Sequence, residues 1–142
     1  MTISESQLTA LRQAAIDVSR NAWCPYSRFS VGAALLATSG RIFSGCNVEN
    51  ASHGLTICAE RVAIGQAIAA GSREFQALLI FTATPKPTAP CGACRQVIAE
   101  FAPNLDIICI CDGPDSLRLT LQELLPHSFG PHNLDNTSTL SE

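Results

Sequence analysis

At 142 residues the chain has the length of one ordinary domain, enough to bury a core and too short for two large ones. With 46% hydrophobic and 15% charged residues, it is too apolar to be disordered over most of its length. Its 9 basic and 12 acidic side chains leave a net charge of −3, and no Lys/Arg run offers a footprint for nucleic acid.

The first expected element is an amphipathic helix from Ser4 to about Asn21, with Leu8, Leu11, Ala15 and Val18 at helical spacing and Ser4 and Ser6 available as caps. Glu5, Arg12, Asp17 and Arg20 interrupt it, so it is no signal peptide, and no apolar run of membrane-spanning length follows. Cys24-Pro25-Tyr26-Ser27 breaks the pattern. Phe29 to Ala37 and Ile42 to Val48, joined by Ser39-Gly40-Arg41, then read as a β-hairpin.

After a loop at 49–57, Cys58 to Ala70 reads as a buried helix ending at Gly71. Ala77 to Thr82 is a short apolar strand. The Pro-rich loop Thr84 to Pro90 leads into a second buried helix, about Gly92 to Phe101, which stops before Pro103. Asp106 to Cys111 and Leu117 to Leu121 are strands around the turn Asp112-Gly113-Pro114-Asp115. That turn is too short for a crossover helix, so the last two strands should be antiparallel. The expected architecture is a three-layer α/β/α sandwich around a five-stranded mixed sheet: one domain over 1–132, then a polar, flexible tail over 133–142.

The seven cysteines are odd in number and are not spaced as loop staples, which favours a reducing compartment, with the cytoplasm as the expected location. Cys91-Gly92-Ala93-Cys94 is a C-x-x-C pair at the mouth of a helix. By itself this spacing suits a redox pair, half of a structural zinc ribbon, or two ligands of a catalytic zinc. Cys58-Ala59-Glu60 adds a thiolate and a carboxylate at the start of the other buried helix. A closed structural site needs four protein ligands, whereas three with an open position is the catalytic pattern.

Three thiolates give Zn²⁺ a formal charge of −1, which weakens it as an acid unless neighbours withdraw that charge. Two helix N-termini, together with Arg61 and Arg95, are suited to the task through dipoles and charge-assisted hydrogen bonds. Glu60 is equally a residue favoured in a helix's first turn. Beside an activated water it would also serve as the general base and acid. Cys109 and Cys111 share a strand face and read as buried, Cys24 and Cys46 as small fillers, and His127 and His132 as surface residues.

The pair Cys58-Ala59-Glu60 and Pro90-Cys91-Gly92-Ala93-Cys94 resembles the cytidine deaminase superfamily in its three-cysteine form. The segments Cys24 to Ala34 and Gly45 to Ala51 resemble those of its free-nucleoside members, and the likeness covers about residues 5–130. It implies one Zn²⁺ per subunit on Cys58, Cys91 and Cys94, with Glu60 catalytic and Ala59 beside the substrate. It further implies that Phe29 packs on the pyrimidine and that Asn47 and Glu49 bind the ribose hydroxyl groups. Without those flanking motifs, Phe29 would read as core, Asn47 as a turn residue and Glu49 as a loop charge.

The likeness also implies a homotetramer in which Phe129 reaches a neighbouring subunit's site. One position departs from the pattern: His53 stands where the family commonly has tyrosine. It is read as a ribose contact across the interface, as a residue tuning specificity, or as a surface histidine. The implied activity is zinc-dependent hydrolysis of cytidine and deoxycytidine to the uridines with release of ammonia, in pyrimidine salvage. The alternatives are a deaminase of the same fold acting on another aminated nucleoside or base, a non-catalytic structural zinc module, and a redox C-x-x-C protein.

Overall fold

Three strands of this chain are apolar at nearly every position because both of their faces are covered. They are β1 (Val31–Ala37), β3 (Phe75–Thr82) and β4 (Asp106–Cys111) in a computed structural model that describes residues 3–134. With β2 (Ile42–Cys46) and β5 (Ser116–Thr120) they form one sheet in the order β2-β1-β3-β4-β5. The β3–β4 pair is parallel and every other pair antiparallel, including β4–β5 as the short turn requires.

Side chains alternate between two cores. Helix α1 (Glu5–Ser19) covers one face, packing Leu11 and Ala15 against Ala34, Leu36, Leu79, Ile108 and Ile110. Helices α2 (Ala59–Ala69) and α3 (Gly92–Phe101) cover the other, where Ala63, Ile64, Ala67 and Ile98 meet Leu35, Leu78, Ile80 and Ile107. The expected three layers are present. Residues 135–142, most of the expected tail, lie outside the described residues; Asn133 and Leu134 close the short helix α5 (Pro131–Leu134).

Two glycines set how closely the helices approach the sheet. A Cβ on Gly32 would lie 1.9 Å from the Ala15 carbonyl oxygen of α1. One on Gly45 would lie 2.6 Å from the Ala59 carbonyl oxygen and 2.5 Å from the Ala63 nitrogen. Gly45 therefore fixes the seat of the first turn of α2, which carries Glu60 and follows Cys58.

The elements differ from expectation at their ends. Strand β1 begins at Val31 rather than Phe29 because the Asn47 side chain takes over the pairing there: its Oδ1 accepts from Val31 N at 2.9 Å and its Nδ2 donates to Phe29 O at 2.7 Å. Strand β2 ends at Cys46, beyond which isolated bridges tie Val48 to Trp23 and Ile57. After β5 comes α4 (Leu121–Leu124), a helix not expected from the sequence. Thr120 and Glu123 form its capping box, a T-x-x-E signal that was legible but whose Thr120 fell inside the residues read as strand.

Candidate metal centre and its pocket

Cys58 and Cys91 are the residues that begin the two helices on one face of the sheet. Each is the N-cap, in extended conformation, of α2 and α3 respectively, and neither side chain makes a capping hydrogen bond. Cys94, fully buried in the first turn of α3, brings a third sulfur. The three Sγ atoms lie within 4.8 Å of one another, and those of Cys58 and Cys91 are 3.9 Å apart. A tetrahedral zinc with bonds of about 2.3 Å separates its sulfurs by about 3.8 Å, so the donor set fits that ion. Among the described residues no other His, Cys, Asp or Glu joins the group, which leaves the three-ligand arrangement.

Charge around the sulfurs is unevenly held. The Cys94 thiol beside it draws the Cys58 thiol down to about 5, opposed by burial and assisted by Arg61 and Cys91. Cys94 is pushed up by its bond to Cys58, by burial and by Glu60. One thiolate thus forms readily while the next must form beside it, so a bound cation displaces protons from the set. Arg61 Nη2 donates to Cys58 Sγ at 3.5 Å and to Thr56 O at 3.3 Å.

Arg95 departs from expectation. Its Nε donates to Pro90 O at 2.8 Å and its Nη1 to Leu124 O at 2.9 Å. The bonds it makes go to backbone carbonyls, not to sulfur, because the last residue of α4, Leu124, lies where that guanidinium reaches. Arg95 therefore fastens the loop before α3 to the end of α4.

Glu60 occupies the first turn of α2 and is 5% exposed. Burial raises its carboxyl above the ordinary carboxylate value, and the charge on Cys58 adds to this against the helix's own N–H. A carboxyl raised in this way exchanges protons closer to neutrality, as a general base and acid requires.

The metal group opens on a cavity of about 180 Å³. Ala59, Glu60, Cys58 and Thr56 form its α2 side, Phe29, Val31 and Asn47 its hairpin side, and Ile80, Thr82, Thr88, Ala89 and Cys91 the wall from β3 to α3. Phe29, Asn47 and Ala59 are thus brought together with Cys58, Cys91 and Glu60.

Glu49, His53 and Phe129 do not line this cavity. Glu49 accepts hydrogen bonds from the backbone N–H of Tyr26 at 3.0 Å and Ser27 at 3.1 Å. The exposed His53 meets the ring of Tyr26 edge-on, with centroids 5.5 Å apart. Phe129 is 61% exposed, and its carbonyl accepts from Gln96 Nε2 at 2.8 Å.

Thr56, Thr82 and Thr88 were not anticipated. Thr82 shares a strand face with Ile80, while Thr56 and Thr88 lie just before Cys58 and Cys91. All seven cysteines are free. Cys109 and Cys111 are buried as expected, and burial pushes the Cys109 thiol up to about 12.

The family model of the cytidine and deoxycytidylate deaminase zinc-binding region matches residues 5–110. The cytidine deaminase of Halalkalibacterium halodurans is 43% identical over 123 residues, spanning 86% of this chain and 93% of that protein. That of Sporosarcina psychrophila is 46% identical over 114 residues, 80% of this chain and 84% of its own. Among solved structures, cytidine deaminase from Burkholderia pseudomallei superposes with a TM-score of 0.83 at 45% identity, covering 89% of this chain and 100% of that one. No helix of the described residues is long and apolar enough to cross a membrane.

Proposed function

Because this chain belongs to the cytidine and deoxycytidylate deaminase family, we propose that it hydrolyses cytidine and deoxycytidine to uridine and deoxyuridine with release of ammonia. The carrying observation is that three thiols converge and that two of them, Cys58 and Cys91, line one pocket with the buried carboxyl of Glu60, Phe29 and Asn47. Zinc held by Cys58, Cys91 and Cys94 supplies a Lewis acid that brings hydroxide within reach near neutral pH.

The side chains of the pocket do the rest. Glu60 accepts the proton of the attacking water and places it on ring N3. It then carries a proton to the amino group, which leaves C4 as ammonia. Phe29 packs against the base, and the start of α2 at Ala59 faces its N3 and O2 edge. The second Nδ2 hydrogen of Asn47, left over after its bond to Phe29 O, and the carboxylate of Glu49 bind the ribose hydroxyl groups. Arg61 withdraws charge from Cys58.

In this reading the working unit is a homotetramer with one zinc per subunit, in which Phe129 enters a neighbouring site and His53 meets ribose only across an interface. Exposed Trp23, Tyr26, Val48, Leu55, Ile57 and Phe129 support such a contact, since apolar surface on this scale calls for a partner. The reaction belongs to pyrimidine salvage in the cytoplasm, and the free thiols support a reducing compartment.

The test is ammonia release by zinc-loaded protein offered cytidine, deoxycytidine, cytosine and adenosine, repeated with Glu60→Ala. Turnover of the first two nucleosides, lost in the variant with zinc retained, is the expected result. Ammonia from adenosine or cytosine alone selects the deaminase of another substrate, and none from any of them selects the structural zinc module.

A further inference from the structure

The wall of the pocket between β3 and α3 carries a chain of hydroxyl groups whose protons can be counted. Thr84 Oγ1 donates to Lys86 O at 2.7 Å, which commits its one proton. The 2.8 Å contact between Thr82 and Thr84 must then be a donation from Thr82, because a hydroxyl has a single proton and two acceptor lone pairs. Thr82 is 1% exposed, so this bond satisfies a buried group that would otherwise be costly. Its longer approach to Thr88, 3.4 Å, shares a proton already spent on the shorter bond. The Thr88 proton goes to no acceptor among the described residues, and Thr88 lines the pocket. The wall thus ends in the hydroxyl of Thr88, with Thr82 3.4 Å behind it and a free proton in front.

What this donor meets follows from the pose proposed above, on which this inference rests. C4 of the base lies at the metal ligands, and N1, para to it, carries the sugar toward Asn47. The N3 and O2 edge faces Glu60 and Ala59 on α2, and Phe29 packs on a ring face. The edge left for the wall of Ile80, Thr82, Thr88 and Ala89 is C5–C6. That edge carries no hydrogen-bond acceptor in cytidine.

We propose that Thr88 is a specificity-determining residue that reads the C5 substituent of the pyrimidine, favouring aminopyrimidine nucleosides whose 5-substituent accepts a hydrogen bond over those with an apolar one. Placing an apolar substituent against Thr88 leaves the hydroxyl proton without an acceptor, whereas an accepting substituent takes it up.

The experiment measures kcat/KM by ammonia release for cytidine, 5-methylcytidine and 5-hydroxymethylcytidine in the wild-type zinc enzyme, Thr88→Val and Thr88→Ser. The wild type is expected to favour the hydroxymethyl over the methyl nucleoside by roughly five- to tenfold, the range of one neutral hydrogen bond. Thr88→Val should bring that ratio to unity or invert it, and Thr88→Ser should restore it. A structural role alone would lower all three substrates together and leave the ratio unmoved. An unchanged ratio in Thr88→Val, or an enzyme that deaminates cytidine but neither substituted nucleoside, overturns the inference and leaves the proposed function standing. No ammonia from cytidine itself overturns that function and this inference with it.

Discussion

Arg61 Nη2 lies 3.5 Å from Cys58 Sγ, while the Nε of the same guanidinium is buried without a partner. Leaving a buried donor unpaired is costly, so the fork is held at the sulfur by more than its own hydrogen bonds. The thiolate charge supplies the compensating attraction. Arg61→Gln keeps a donor but removes the charge, and should lower kcat by roughly ten- to a hundredfold with zinc content near one per chain. Activity within twofold of wild type would show that Cys58 needs no cation beside it.

Gly45 governs the same helix from the other side. With the Ala59 carbonyl oxygen 2.6 Å and the Ala63 nitrogen 2.5 Å from where a Cβ would stand, Gly45→Ala must push backbone, not a flexible side chain. The expected cost is about 1–3 kcal/mol in urea unfolding of the zinc-loaded protein, with weaker zinc retention because the start of α2 moves. Gly40→Ala is the control for surface glycines: no atom lies within 4 Å of its Cβ, and its cost comes only from a positive φ of 86°.

Glu49 gives the fold an acid limit. Burial works against its ionisation, but the Ser27 and Tyr26 hydrogen bonds and the charge of His53 outweigh that and lower its carboxyl below the ordinary value. A lowered folded-state pKa means that the unfolded chain binds the proton more readily. Its contribution is therefore complete above the unfolded carboxylate value and drains away as pH falls through the folded one. Thermal melting followed from pH 7 down to about pH 3 should fall more steeply for wild type than for Glu49→Gln. Parallel curves would remove Glu49 as a tie on residues 26–27.

Metal removal should separate the thiols by place. With zinc bound, Cys58, Cys91 and Cys94 are expected to resist alkylation; after chelation the exposed Cys91 and half-buried Cys58 should label first. Cys109, buried and held up near 12, should stay unlabelled in both states at neutral pH. Mass mapping of the modified peptides reads this directly, and equal labelling of Cys91 before and after chelation would contradict its role as a ligand.

Much of the architecture was legible because it is local or redundant. Strands β1, β3 and β4 announce themselves by unbroken apolar runs, and the metal set by a C-x-x-C at one helix start and a Cys-Ala-Glu at another. What escaped depends on partners far along the chain. Arg95 adjoins a ligand in sequence, yet its fork is claimed by Leu124, 29 residues on. Asn47 reads as a turn or sugar-binding residue, while both of its amide atoms hold the start of β1. The threonines of the pocket wall carry no motif, since their value comes from a proton count that exists only once Thr82, Thr84 and Thr88 are folded together.

The two helices that begin at Cys58 and Cys91 lack the Ser, Thr, Asp or Asn that ordinarily closes a helix start. A thiol is a poor acceptor in that role, so each opening turn forgoes on the order of 1 kcal/mol. Zinc held by Cys58 and Cys91 would repair the omission at both ends at once: by keeping the sulfurs as fixed anions, it would give two separate helices one shared cap. Loading the metal would then also steady the two opening turns, one of which carries Glu60.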